Sequence, residues 1–526
     1  MLRDGEIGVQ GRQLLPKVVL FWLASIPLAP LLTVLAELWS QVEELINGRP
    51  ITRLLEEERQ AQARRDRHAS RQAAQDAQHP PRFQPGMLAL GPFVAGKTDR
   101  FPDHIGLVQQ QRWLGLSERV LDQHMFILGA PGAGKSETIK RLIWEVLQHT
   151  DRDVFLVDGK GEELLARDVR ALAYHAGRGS SPIFRMGFEH SGARYNGFVG
   201  QREAVYSRLV AMAGVMNLDG NADIYGRITR DLLQLVCYAP SGPPRSFEEL
   251  RQRLTLKWLR DTYLNDPLEK EVVANERDLT QRLEGVQLRL RPLIREFTAL
   301  TGPDGFTLEQ TNTAIFSLRT QSMSDSATYF LQFLIEDLKD FIGKRQQRPA
   351  VLVIDEFGAF GNENIIKLLS LARSAKLGIV LATQDIANLG DEMTMRSILA
   401  NTGTKLLMRS DFPEDIAKLA GTIYQLESSV QYDQGQTTGL GSVRPQHTFK
   451  IDMNEAAQLR PGEGFLIRHR QTAKLKVAAL DERAVAALVH KTPPEAIPST
   501  RPTHHTTPEH QHPARRKRRT PPKNID

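Results

Sequence analysis

The chain has 526 residues, 41% hydrophobic and 25% charged, which is enough for two or three globular domains. Its single cysteine, Cys237, excludes an internal disulfide framework and lies in an apolar run typical of a buried residue. The net charge is +6, but residues 501–526 supply +5 of it, with seven basic residues against two acidic ones. The remainder is nearly neutral, which excludes a broadly basic nucleic-acid-binding surface.

An uncharged segment near the N-terminus, residues 18–36, predicts a single membrane anchor. As a helix it would be about 28 Å long, close to the thickness of the bilayer core. Pro27 and Pro30 would kink it, so a re-entrant segment is an alternative to a full span. The same segment could instead be a signal peptide or a buried core helix. Residues 39–90 are rich in Glu, Arg, Gln and Ala and predict a charged helical connector.

Short apolar strands alternate with helical stretches from about residue 90. This alternation predicts a mostly parallel sheet covered on both faces. The predicted strands are 125–128, 154–157, 183–186, 314–318, 351–354, 379–382 and 405–408.

The motif GAPGAGKS at 129–136 fits the phosphate-binding pattern G-x-x-x-x-G-K-[ST] and lies between a predicted strand and a predicted helix. Its glycines let backbone N–H groups close around phosphates. Lys135 is expected to reach the β- and γ-phosphates of ATP, and Ser136 to supply a hydroxyl to Mg²⁺. The expected nucleotide-binding residues are Gly129, Ala130, Pro131, Gly132, Ala133, Gly134, Lys135, Ser136, Glu137 and Asp355.

The apolar strand 351–354 ends in two carboxylates, Asp355 and Glu356. We expect Asp355 to hold Mg²⁺ through its water shell and Glu356 to orient or deprotonate the attacking water. A second strand leads to Gln384, whose amide is suited to sensing the γ-phosphate or, alternatively, simply caps the strand.

A phosphate loop, an Asp-Glu strand and a Gln strand in this order indicate a RecA-like P-loop core. Such cores usually act as rings, in which an arginine of the neighbouring subunit completes the site. Arg373 is the first candidate and Arg409 the second, and either could instead be an ordinary surface residue.

Residues 201–305 interrupt the alternation of predicted strands and helices, and this stretch predicts an inserted all-α domain. Apolar residues recur there at helical spacing between 279 and 297. Arginines along the same helix could line a DNA path or form a solvated face. We therefore expect an α/β RecA-like P-loop NTPase core with an inserted all-α domain and an N-terminal transmembrane segment. The predicted segments are 1–38 (tail and anchor), 39–90 (connector), 91–200 (first ATPase part), 201–305 (all-α insertion), 306–490 (second ATPase part) and 491–526 (disordered basic tail).

These motifs together resemble the type IV secretion coupling proteins, the TraD/TraG-type conjugative DNA-transfer ATPases. Besides the phosphate loop, the sequence contains VLVIDEFG, RSAKLGIVLATQ and FLVDGKGEEL. The last of these is similar to the family's Asp-x-Lys-Gly-Glu stretch after its second strand, which matches Asp158, Lys160, Gly161 and Glu162. YNGF at 195–198 is similar to an Asn-Pro-Phe turn, with Gly197 in place of the proline. PGEGFLIRHRQTAKLKV is similar to the closing strands.

The resemblance implies a homo-hexameric ring anchored in the bacterial inner membrane, with the ATPase domain in the cytoplasm. It also implies Mg²⁺-dependent ATP hydrolysis stimulated by DNA, with delivery of a relaxase bound to single-stranded DNA to the components of a secretion channel. The family usually has two membrane spans and this sequence offers one candidate, so the topology of the anchor stays open. The alternative functions are a different ring-shaped DNA translocase and an ATPase adaptor that recruits protein effectors.

Overall fold

A computed structural model describes residue 39 and residues 51–94, 106–179, 181–189, 192–214, 222–267, 269–344, 348–360, 363–373, 375–433 and 436–494. The chain divides into two compact units, one comprising 1–68 with 423–448 and the other 69–422 with 449–526. The predicted anchor at 18–36 lies outside the described residues, as does the basic tail from 495 onward. Among the residues described, none of the helices is both long enough and apolar enough to cross a bilayer.

The strands of the described residues include all seven that the apolar runs predicted, and each prediction is confirmed to within two residues at either end. The strands are β1 (Met87–Pro92), β2 (Leu107–Gln110), β3 (Trp113–Ser117), β4 (Met125–Leu128), β5 (Asp153–Asp158), β6 (Ile183–Met186), β7 (Thr313–Leu318), β8 (Ala350–Asp355), β9 (Leu377–Thr383), β10 (Thr404–Met408), β11 (Thr422–Asp433), β12 (Gln436–Phe449), β13 (Glu463–Arg468) and β14 (Gln471–Lys476).

The helices fall between these strands in the order expected of an α/β protein. They are α1 (Ile51–Asp76), α2 (Lys135–His149), α3 (Glu163–His175), α4 (Arg202–Met212), α5 (Ala222–Cys237), α6 (Phe247–Arg253), α7 (Leu256–Tyr263), α8 (Lys270–Ala274), α9 (Glu276–Leu300), α10 (Thr320–Lys344), α11 (Glu363–Ala372), α12 (Glu392–Asn401), α13 (Pro413–Ala420), α14 (Met453–Ala457) and α15 (Glu482–Lys491).

The main sheet of the second unit has, within the described residues, the strand order β14-β13-β10-β4-β9-β8-β5-β7-β6. The strands from β10 to β6 are parallel, and β13 and β14 extend the β10 edge in antiparallel fashion. Alternate residues of one strand point to opposite faces. Phe126 and Leu128 accordingly join the core on one face, whereas Met125 and Ile127 join the core on the other. Because both faces are covered, the central strands β4, β8 and β9 are buried along their whole length.

The predicted all-α stretch is helical from α4 to α9, and these helices pack in the same core as one face of the sheet. The apolar stripe predicted on α9 is buried, and the helix continues through Pro292. Cys237 is buried, as expected. The arginines of α9 at 277, 289, 291 and 295 are exposed.

A buried ion-pair network joins α4 to α10. Arg208 is fully buried, and its guanidinium lies 2.6 Å from a carboxylate oxygen of Asp337 and 2.6 Å from one of Asp340. It also donates to the carbonyl oxygen of Gly197, 2.8 Å away. The Tyr195 hydroxyl donates to Asp337. The turn at 195–198 is therefore tied to both helices through buried charged groups.

A small antiparallel sheet, β1-β3-β2, was not predicted. It joins the main sheet where the backbone N–H of Ala478 donates to the carbonyl oxygen of Leu90, 3.0 Å away. A Cβ atom on Gly91 would lie 1.9 Å from the carbonyl oxygen of Lys476, so only glycine fits this crossing. On α2, Arg141 donates to the Ala89 carbonyl oxygen, and Glu145 accepts from the Ala89 N–H. The small sheet is thereby fixed to the helix that follows the phosphate loop.

The first unit contains the start of α1 and most of a long hairpin formed by β11 and β12. Within the connector predicted at 39–90, residues 51–76 form the helix α1. The hairpin was not predicted.

Candidate functional site

The loop 129–136 turns tightly between the end of β4 and the start of α2. Gly132 and Gly134 have φ values of 73° and 101°, in the region that favours glycine. A Cβ atom on Gly134 would lie 3.0 Å from the backbone nitrogen of Gly462, so the loop also needs glycine for close packing. The first turn of α2 begins at Lys135, and its backbone N–H groups form the positive end of the helix dipole. The loop is therefore shaped to enclose an anion such as a phosphate chain.

Three separate chain segments hold this loop by its backbone. The N–H of Gly129 donates to the carbonyl oxygen of Thr383 at 3.2 Å, and the N–H of Ala130 donates to that of Arg409 at 2.8 Å. The N–H of Gly462 donates to the carbonyl oxygen of Ala133 at 2.7 Å. The loop is thus fixed from β9, β10 and the turn before β13.

The Lys135 ammonium and the acidic pair meet at the carboxyl edge of the sheet. Lys135 is buried, and its Nζ lies 3.1 Å from Glu356 Oε2 and 3.8 Å from Asp355 Oδ1. Glu356 follows β8 in a left-handed backbone conformation, φ 57° and ψ 45°, which is uncommon for a residue with a side chain. Its N–H donates to Asp355 Oδ1 at 2.9 Å. The two motifs, which lie more than 200 residues apart in sequence, therefore form one site.

Gln384 contacts the same carboxylate. It follows β9, and its Nε2 donates to Glu356 Oε2 at 2.7 Å. A carboxylate that accepts from both an amide and an ammonium has a defined orientation, as a group that activates water requires. The structure thus brings together Lys135, Asp355, Glu356 and Gln384.

Asp355 has the features of a residue that contacts a hydrated cation. Its side chain is fully buried, and its Oδ2 atom accepts no hydrogen bond from the described residues. Burial raises the pKa of Asp355, while the charges of Lys135 and Lys160 oppose the shift. Burial and the charge of Asp355 raise the pKa of its neighbour Asp158 to about 7. A cation beside these carboxyl groups would favour their charged forms.

Magnesium fits this arrangement without a cluster of protein ligands. The described residues contain no group of three or more His, Cys, Asp and Glu side chains suited to a metal. Magnesium in nucleotide sites is bound instead by one or two protein oxygens together with phosphates and water. Asp355 supplies such an oxygen, and Ser136 lies half-buried in the first turn of α2. The residues present therefore fit a nucleotide with magnesium.

The two candidate arginines lie in different places. Arg373 follows α11 and is exposed. Burial lowers the pKa of His124, and the charge of Arg373 lowers it further. His124 directly precedes β4, whereas the phosphate loop follows it, so Arg373 lies toward the opposite end of β4 from the phosphate loop. Arg409 follows β10, and its Nη2 donates to the carbonyl oxygen of Pro131 at 3.1 Å.

The sequence did not predict the contact of Gly462 with the phosphate loop. A signal was present, because PGEG places two glycines where a strand begins, and a glycine there often marks a close approach of two backbones.

Comparison with known proteins agrees with this fold. Residues 349–461, which include the acidic pair and Gln384, match the family model of the TraM recognition site of TraD and TraG. None of the curated proteins matches the sequence at a significant level.

Among solved structures, the unbound bacterial conjugative coupling protein TrwBdeltaN70 is 16% identical, with a TM-score of 0.55 over 73% of this chain and 95% of that one. The plasmid coupling protein TrwB in complex with ADP and Mg²⁺ is 16% identical, with a TM-score of 0.52 over 75% of this chain and 96% of that one. TrwB in complex with a non-hydrolysable ATP analogue gives the same identity and TM-score over 76% of this chain and 96% of that one. The resemblance to the type IV secretion coupling proteins that the motifs indicated is therefore confirmed, by the fold over most of the chain and by the family match at residues 349–461.

Proposed function

We propose that this protein is an ATP-driven coupling protein that recruits a relaxase–DNA complex and pumps single-stranded DNA into a type IV secretion channel. The convergence of Lys135, Glu356 and Gln384 beside a phosphate-shaped loop is the observation that supports it most strongly. The fold shared with TrwB, which has been solved with ADP and Mg²⁺, supports ATP and magnesium as cofactors.

In this proposal, the backbone N–H groups of 132–136 bind the phosphates, and Lys135 turns from Glu356 to the β- and γ-phosphates. Magnesium, when bound beside Asp355 and Ser136, neutralises charge on the phosphate oxygens. Glu356 then accepts a proton from the attacking water, or orients that water. Gln384 keeps the Glu356 carboxylate in place from the end of β9.

The oligomer and the partners belong to the same proposal. We propose a homo-hexamer in the bacterial inner membrane, anchored by residues 18–36, with the ATPase domain in the cytoplasm. An arginine of the neighbouring subunit, with Arg373 the first candidate, completes each site. Because residues 1–500 are nearly neutral, we propose that DNA contacts local patches, of which the exposed arginines of α9 are a candidate.

The test compares ATP turnover by the purified chain with and without single-stranded DNA, using Lys135→Ala as the inactive control. We expect turnover to rise when DNA is added, and Lys135→Ala to abolish turnover while thermal unfolding stays unchanged. Turnover that does not respond to DNA would favour an adaptor for protein effectors. Turnover retained by Lys135→Ala would contradict the assignment of the phosphate loop.

A further inference from the structure

The loop after β5 brings a second lysine to the acidic pair. Asp158, the last residue of β5, accepts hydrogen bonds at Oδ1 from the backbone N–H groups of Lys160 and Gly161, each at 3.1 Å. Its Oδ2 accepts from the Ser317 hydroxyl at 3.2 Å. With the turn fixed in this way, the Lys160 ammonium lies 3.9 Å from Glu356 Oε2.

Lys160 lies between the site and the surface. Its Nζ is also 3.6 Å from Glu162, a surface carboxylate, and its side chain is 22% exposed. The Glu356 side chain is 14% exposed. The Lys160–Glu356 pair is thus partly shielded from water. A shielded pair of charges attracts more strongly than a pair on an open surface.

The turn is anchored on the far side by the start of α10. The backbone N–H of Thr320 donates to the carbonyl oxygen of Gly159 at 3.3 Å, and the Thr320 hydroxyl donates to the same oxygen at 2.5 Å. Gly161 has φ 67°, and a Cβ atom there would lie 2.5 Å from Cγ of Arg319. The backbone of this turn is therefore held by neighbours on both sides.

In the part of the chain that the structure describes, three groups surround the Glu356 carboxylate: Lys135 at 3.1 Å, Gln384 at 2.7 Å and Lys160 at 3.9 Å. When a triphosphate is bound, Lys135 contacts its β- and γ-phosphates. Glu356 would then lose its nearest cation just as the negative charge of the phosphates arrives beside it. Among the described residues, Lys160 is then the cation nearest to Glu356.

We propose that Lys160 is a positioning residue, which retains the Glu356 carboxylate in its orientation toward the attacking water once Lys135 has engaged the phosphates. This inference rests on the proposed ATPase function. Lys160 acts through Glu356, so its loss slows hydrolysis and leaves nucleotide affinity nearly unchanged.

The test compares Lys160→Met and Lys160→Arg with wild type, and uses Lys339→Met as the matched control. Lys339 is a half-buried lysine of α10 that lies 2.5 Å from Glu336. The measurements are kcat for ATP and the affinity for a non-hydrolysable ATP analogue with Mg²⁺. We expect Lys160→Met to lower kcat about 10- to 100-fold, since misplacement by about 1 Å has effects of this size. Affinity should stay close to wild type, Lys160→Arg should restore most of kcat, and Lys339→Met should behave as wild type.

Wild-type kcat in Lys160→Met would overturn the inference. A loss of affinity as large as the loss of kcat would also overturn it, because Lys160 would then bind the phosphates directly. The inference would also be overturned if Lys160→Arg unfolded at the wild-type temperature but did not restore activity. If wild type itself neither bound nor hydrolysed ATP, the proposed function would fail, which is a distinguishable result.

Discussion

At the residue scale, Glu356 combines an unusual backbone with a closely held side chain. A left-handed conformation in a residue with a side chain costs on the order of 1–3 kcal/mol and persists only where its surroundings impose it. The surroundings here are the hydrogen bond from its N–H to Asp355 and the contacts of its carboxylate with Lys135 and Gln384. Its surroundings therefore hold Glu356 in a defined orientation.

Replacing Glu356 by Gln tests its role directly. The amide preserves the shape of the side chain but is not a base, so we expect ATP to bind with nearly wild-type affinity while kcat falls about 100-fold or more. Nucleotide-binding titrations and steady-state turnover measure the two quantities separately. Near-normal turnover would mean that the group activating water lies elsewhere.

Most of the core of this site could be predicted from sequence because its residues follow parallel strands. The carboxyl ends of such strands meet at one edge of the sheet, so Lys135, Asp355 and Gln384 had to be near one another. The contact of Gly462 could not be predicted in the same way. It depends on β13 pairing antiparallel with β10, and the register of that pairing is not encoded by any local motif.

At the scale of elements, strands that are buried along their whole length were the easiest to predict from the sequence. β8 and β9 are buried along their whole length and are therefore continuous apolar runs. β2 has the sequence LVQQ with half its residues exposed, and β12 is rich in Gly, Thr and Gln. Neither has the hydrophobic pattern from which a strand is predicted. β2 and β12 were missed for this reason, whereas β1 and β3 are largely buried and apolar and were missed all the same.

The junction between β1 and β14 gives a prediction about stability. Gly91→Ala would place a methyl group 1.9 Å from the Lys476 carbonyl oxygen, so the two strands must separate. We expect the free energy of unfolding to fall by about 1–3 kcal/mol, as for other overpacked sites, measured by denaturant titration.

Gly285→Ala is the matched control. Gly285 lies within α9, and a Cβ atom there would meet nothing within 4 Å. Alanine should therefore stabilise the helix by about 0.5–1 kcal/mol. Equal effects of the two substitutions would contradict the close crossing of β1 and β14.

At the scale of the whole molecule, two candidate regions lie at opposite ends of β4. The phosphate loop follows β4 at one edge, and Arg373 lies near His124 at the other. Arg373 therefore lies away from the phosphate loop of the same chain. It is available to the site of an adjoining subunit if the subunits pack edge to edge.

Mixing subunits tests this arrangement. If Arg373 acts on the neighbour, Arg373→Ala subunits should reduce ATP turnover of mixtures with wild type by more than their proportion. Arg396→Ala is the control, since Arg396 is an exposed arginine paired with Glu392 on α12. Turnover that simply follows the wild-type fraction would contradict a shared site.

The structure of the full chain determined with Mg²⁺ and a non-hydrolysable ATP analogue tests the central claim most directly. We predict phosphate oxygens within hydrogen-bonding distance of the backbone N–H groups of 132–136, with Lys135 moved from Glu356 to the γ-phosphate and Mg²⁺ beside Ser136 and Asp355. A triphosphate bound away from this loop, or a loop that stays closed by the Lys135–Glu356 pair at saturating nucleotide, would contradict it.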